Sequence, residues 1–72
     1  MDEKALLRGI SIRIREVRQA KGITQQELAA KIDYEKSNMS RLESGKTDLR
    51  ISTLNKVAKA LDMSLSELLD FE

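Results

Sequence analysis

Apolar residues recur along this chain at helical intervals. Leu6, Leu7, Ile10, Ile14 and Val17 fall on one stripe at about 100° per residue, with Ala20 on its edge. The stripe predicts a first helix ending near Lys21-Gly22. Ile10, Ile12 and Ile14 also alternate with polar residues as a strand would, but the helical stripe extends over about three turns and outweighs that short alternation. Ile12 is then expected to be exposed. Gly9 inside the stretch costs about 1 kcal/mol relative to Ala, so residues 1–9 read as an N-terminal extension, either a separate turn or a frayed end.

Two sequence boxes set the register of the helices that follow. In Thr24-Gln25-Gln26-Glu27 the Thr hydroxyl can accept from the Glu27 N–H while the Glu27 carboxylate reaches back to the Thr24 N–H, and Ile23 and Leu28 are spaced as a hydrophobic staple. A second helix is therefore predicted from Gln25 to Ile32, burying Leu28, Ala29 and Ile32. Ser64-Leu65-Ser66-Glu67, with Met63 and Leu68 as its staple pair, repeats the device and opens a last helix. Between them, Tyr34, Met39 and Leu42 mark a third helix over Glu35 to Ser44, stopped by Gly45. Ile51, Leu54, Val57, Ala58 and Leu61 then mark a fourth. The expected architecture is all-α, a compact single domain over residues 1–72 of five short helices that depend on mutual packing for stability.

Composition narrows the chemistry. The 72 residues contain no Cys, His or Pro, which removes disulfides, thiolate nucleophiles, zinc-finger ligands and the usual neutral-pH proton shuttle. A chain this short buries only about 60% of its unfolded surface, which disfavours a deep catalytic pocket, and no spacing of Ser and Lys assembles a nucleophile with its base. No enzyme activity, cofactor or metal is expected. No apolar run suits a membrane span or a signal peptide, so a cytoplasmic protein without membrane contact is expected. The 13 basic and 12 acidic side chains leave a net charge of +1. They are unevenly placed: residues 1–22 hold six basic and three acidic side chains, and 51–72 hold two and four. A local positive face matters more than the total for a polyanionic partner.

The second and third helices are joined by Ile32-Asp33-Tyr34, a connection short enough to make them cross steeply. Helix-turn-helix spacing of this kind, over residues 25–44, accompanies a closer likeness. Gly22-Ile23-Thr24-Gln25-Gln26-Glu27-Leu28-Ala29, then Ser40-Arg41-Leu42-Glu43-Ser44-Gly45-Lys46, then Leu54, Val57, Ala58, Ala60 and Leu61 resemble the phage-repressor type of helix-turn-helix protein, the Cro/CI or XRE family. The likeness extends over about Ile10 to Leu69. It implies a five-helix, lambda-repressor-like domain whose third helix enters the major groove of double-stranded DNA, usually as a homodimer on a two-fold related operator, and hence a transcriptional regulator, expected to be a repressor, encoded by a bacterium, phage or plasmid.

The resemblance carries over residue by residue. Lys36, Ser37 and Arg41 fall on base-reading positions; Lys and Arg can donate to guanine O6 and N7. Thr24, Gln25 and Asn38 fall where DNA-backbone contacts are made, and Lys46 and Arg50 could add further phosphate contacts from the following loop, although Asp48 stands between them. Unplaced, Lys36 and Arg41 would read as solvated charges; their spacing opposite Met39 and Leu42 favours contact. The family pairs an Arg at position 18 with the Glu at position 43, which implies a partly buried structural ion pair.

Departures from the family pattern are specific. Asp33 and Asp62 stand where Gly is frequent, Leu49 where Pro is common, and Glu35 where Ser or Thr typically caps the recognition helix; a carboxylate there suits the helix dipole but would face phosphates. A dimer surface must come from the same helices, with Leu69 and Phe71 as candidates and Leu65 and Leu68 assigned to the core. The competing function is an antitoxin-like interaction module with a protein partner, using exposed Ile12 and residues 1–9, in which DNA binding is secondary.

Overall fold

The computed structural model describes residues 2–46 and 48–70, and orders them as α1 (Glu3–Ala20), α2 (Gln25–Lys31), α3 (Lys36–Ser44), α4 (Ile51–Ala60) and α5 (Leu65–Leu68). The all-α expectation holds, with no strand among the described residues. Each helix sends a side chain into one core: Ile14 from α1, Leu28 from α2, Met39 from α3, Leu54 from α4 and Leu68 from α5 are all but inaccessible to solvent. Leu65 packs half-buried against that core.

The first helix begins earlier than its pattern predicts. The Asp2 carboxylate accepts the Ala5 N–H at 2.7 Å, and from that cap the helix runs through Gly9 without a break, so residues 3–9 are neither a separate turn nor frayed. Two apolar assignments are corrected. The core meets α1 only from Ile10 onward, leaving Leu6 one turn earlier at 45% exposure, and Ile51, the first residue of α4, is 64% exposed because packing there begins at Leu54. Ile12 is exposed at 38%, as expected.

Three of the helices end alike. After α1, α2 and α4 a residue with left-handed backbone follows the cap, namely Gly22 (φ 70°), Asp33 (φ 58°) and Asp62 (φ 60°). The next N–H, from Ile23, Tyr34 or Met63, then bonds back to the carbonyl of Arg18, Ala29 or Ala58. This Schellman geometry satisfies otherwise orphaned carbonyls, and the same three side chains pack half-buried against the core. Asp therefore supports the backbone that Gly usually supplies, as its short polar side chain allows.

The end of α3 is built differently. Gly45 is also left-handed (φ 75°), and a Cβ there would sit 3.0 Å from the Cα of Arg8, so the position needs Gly both for its dihedral and for the close approach of α1. Side-chain hydroxyls take the last carbonyls: Ser44 Oγ donates to Arg41 O at 2.6 Å, and the buried Ser11 Oγ of α1 donates to Leu42 O at 2.7 Å. Arg13 of α1 likewise donates to the carbonyls of Leu68 (3.2 Å) and Glu67 (3.1 Å), tying α1 to the end of α5. Nothing in the hydrophobic pattern announces these polar ties. No described helix is long and apolar enough to cross a membrane.

Candidate nucleic-acid interface

The short connection between α2 and α3, residues 32–35, sets the crossing of the two helices. Both capping-box bonds at the start of α2 are present: Glu27 N–H donates to Thr24 Oγ1 at 3.0 Å and Thr24 N–H to Glu27 Oε1 at 2.9 Å. The same pair of bonds opens α5 between Ser64 and Glu67. Accepting the backbone N–H of Thr24, and then its hydroxyl contact, holds the Glu27 carboxyl below its ordinary range; Ser64 acts on Glu67 in the same way. By contrast, Glu35 sits in extended N-cap geometry at the start of α3 (φ −75°, ψ 150°) and its side chain makes no capping bond.

Helix α3 is amphipathic in a literal sense. Met39, Leu42 and Glu43 are buried, while Lys36, Ser37, Asn38, Ser40 and Arg41 are exposed. Lys36 and Arg41 lie about 140° apart around the axis with Ser37 and Ser40 between them, and Asn38 falls beyond Arg41 at the edge of the packed face. Thr24, Lys46 and Arg50 are also exposed. Asn38, Arg41 and Arg50 meet at one shallow groove of about 170 Å³, shared with Tyr34, Asp48 and Thr53. Asp48 thus stands beside Arg50 in that groove, and its Oδ1 also accepts the N–H of Leu49 at 2.9 Å.

A buried polar network supports this surface from behind. Arg18 reaches Glu43 through two bonds, Nε to Oε2 at 2.7 Å and Nη2 to Oε1 at 3.1 Å, while its Nη1 donates to Ile23 O at 2.8 Å. The two side chains are 9% and 2% exposed, and theirs is the one ion pair among the described residues. Gln25 Nε2 donates to Glu43 Oε1 at 3.1 Å, and Ser40 Oγ donates to Gln25 Oε1 at 3.3 Å. The Gln25 amide, which the family resemblance assigns to DNA-backbone contact, is therefore already oriented by α3, with one amide hydrogen engaged. Sequence reasoning missed the Ser40 and Ser11 contacts, because neither hydroxyl carries a signal in the hydrophobic pattern. Leu69 is half-buried against the chain's own core, and Phe71 lies outside the described residues. Among the described residues no group of three or more acidic side chains is placed to hold a metal ion.

The profile of the Cro/C1-type HTH DNA-binding domain matches residues 13–72. Among solved structures, the clp gene regulator ClgR from Corynebacterium glutamicum is 30% identical, covering 89% of this chain and 68% of that one with a TM-score of 0.85. The restriction-modification controller protein C.AhdI from Aeromonas hydrophila is 34% identical, covering 89% and 97% with a TM-score of 0.84. The controller protein C.Esp1396I, solved as a tetramer in complex with its natural 35 base-pair operator, is 33% identical, covering 89% and 88% with a TM-score of 0.80. No match to a curated protein accompanies these structural ones.

Proposed function

The chain belongs to the Cro/C1-type helix-turn-helix DNA-binding family, and we propose that it is a sequence-specific transcriptional repressor that places α3 in the major groove of double-stranded DNA as a homodimer. One observation carries this reading: the inward side of α3 is fixed by Met39, Leu42 and the Arg18–Glu43 pair, while Lys36, Ser37 and Arg41 are left exposed on a rigid rod. In this reading Lys36 and Arg41 donate to guanine edges and Ser37 contacts a base between them. Thr24, Asn38, Lys46 and Arg50 hold the phosphate backbone, joined by Gln25 through its second amide hydrogen. Glu43 and Arg18 touch no DNA and act by positioning.

Dimerisation follows from affinity. A module of this size covers roughly 600–1,000 Å² on DNA, and two copies presenting their α3 helices about 34 Å apart would read both halves of a symmetric operator. Leu69 and Phe71 remain the proposed dimer surface. The operator complex of C.Esp1396I supports assembly of more than one copy on DNA as the working form. The competing interaction-module reading gains little from the surface: exposed Leu6 and Ile12 lie about 120° apart around α1 and do not merge into one apolar patch.

Selection from random duplexes tests the proposal by yielding an operator, its symmetry and its half-site spacing together. Arg41→Ala should then relax preference at one operator position by about 1–3 kcal/mol, whereas Gln25→Ala should weaken all duplexes alike. Equal losses for both variants across a duplex library would remove the base-reading assignment. Stoichiometric co-purification of another protein with no shift of any duplex would favour the interaction module.

A further inference from the structure

The cations of α1 divide into two sets. Arg13 is spent on the carboxyl end of α5, and Arg18 on Glu43. Lys4, Arg8 and Arg15 are exposed and join no ion pair among the described residues. Taken at about 100° per residue, these three fall within roughly 40° of one another, forming a single edge of the helix. The acidic residues of α1, Glu3 and Glu16, fall about 100° or more from the centre of that edge. The chain carries a net charge of only +1, so three cations on one edge without an interposed carboxylate are a local concentration that the total conceals.

The position of this edge relates it to α3. Ser11, next to it around the helix, donates to Leu42 of α3, and the backbone of Arg8 is the closest neighbour to the space beside Gly45. Exposed Lys46 follows Gly45 directly. The cationic edge therefore borders the end of α3 and continues the positive charge of Lys46 along α1. Lys4 to Arg8 lies before residue 13, where the match to the family profile begins.

We propose that Lys4, Arg8 and Arg15 form a second, sequence-independent contact surface for the phosphate backbone of duplex DNA, lengthening the footprint beyond the helix-turn-helix. The proposal rests on the DNA-binding reading above. From Lys4 to Arg15 the helix rises about 16 Å, comparable with the axial length of about five phosphates on one strand. Contacts of this kind supply affinity and salt dependence but no base discrimination.

The test compares wild type with the triple variant Lys4→Gln, Arg8→Gln, Arg15→Gln by fluorescence anisotropy, on a duplex recovered by selection and on a scrambled duplex of equal length, across a series of salt concentrations. A thermal melt within a few degrees of wild type verifies the fold; the single variant Arg8→Gln provides a second measurement. The expected result is a slope of log K against log salt shallower by about 0.9 for each phosphate no longer neutralised, up to about 2.7 for the triple variant, with both duplexes weakened by the same factor. An unchanged slope and affinity overturn the proposal while leaving the DNA-binding reading intact. Weakening confined to the selected duplex also overturns it, because the edge would then read bases. Failure of wild type to bind either duplex defeats the underlying reading itself.

Discussion

The two sides of α3 are held in opposite ways. Inward, Met39 and Leu42 are packed in the core and Glu43 is locked by Arg18 and Gln25; outward, Lys36, Ser37, Asn38 and Arg41 are open to solvent. A nine-residue helix would not persist alone in water, so its orientation is imposed wholly by the inward side. This division fixes where each substitution should register. Changes on the inward side should appear in stability, and changes on the outward side in binding.

The most severe way to probe this division is Arg18→Ala. It leaves the Glu43 carboxylate 2% exposed without its cation, a loss of about 3–5 kcal/mol where burial is this deep. Small domains have about 5–15 kcal/mol in all, so the variant should be partly unfolded or close to it. Urea denaturation reads the effect; a loss below about 1 kcal/mol would place the pair among ordinary surface ion pairs and remove its positioning role. Arg18→Lys should recover only part of the stability, because an ammonium cannot reproduce the two-pronged contact and the bond to Ile23 O together.

A milder probe is Ser11→Ala. Its hydroxyl occupies the Leu42 carbonyl at the end of α3, and removal should cost about 1–3 kcal/mol by taking away that buried bond. Arg41→Ala, on the opposite side, should change stability by no more than about 0.5 kcal/mol while changing base preference. Equal stability losses for the two would erase the distinction between the sides.

Much of the fold was legible because it is written in local chemistry. The boxes at Thr24 and Ser64 place the starts of α2 and α5, and the apolar spacing of Leu54, Val57, Ala58 and Leu61 places α4. Gly9 misled because a helix can absorb one unfavourable residue when a cap such as Asp2 and a packed face extend on either side. Leu6 and Ile51 misled because periodicity says which side of a helix is apolar but not where the core stops along its length. The Arg18–Glu43 pair was approached through family resemblance. The hydroxyl contacts of Ser11, Ser40 and Ser44 were invisible, since a serine carries no periodic signal and its partners lie on other turns or other helices.

The contrast between the starts of α2 and α3 can be sharpened by Glu35→Ser. Glu35 has cap geometry without a cap bond, and a serine hydroxyl there can accept from the N–H of Asn38. The gain should be a few tenths to about 1 kcal/mol, since the favourable carboxylate–dipole interaction is surrendered at the same time. Removing a carboxylate beside the proposed phosphate contacts should also tighten binding of all duplexes. Weaker binding confined to duplexes with a cytosine at one position would show instead that Glu35 accepts from that base.

The smallest expected effect concerns acid. Glu27 and Glu67 are held below their ordinary value of 4.5, first by the backbone N–H of Thr24 and Ser64 and next by their hydroxyls. A carboxyl whose folded value is lowered contributes stability that is fully present above its unfolded value and disappears as pH falls through the folded one, because the unfolded chain binds more protons in that interval. Stability should therefore decline from about pH 4.5 downward. The double variant Glu27→Gln, Glu67→Gln keeps side chains able to accept the same backbone bonds but cannot titrate there, so its urea midpoint should fall less steeply over the same interval. Parallel pH profiles for the two proteins would mean that the acid response originates at other carboxylates and that the boxes at α2 and α5 act through geometry alone.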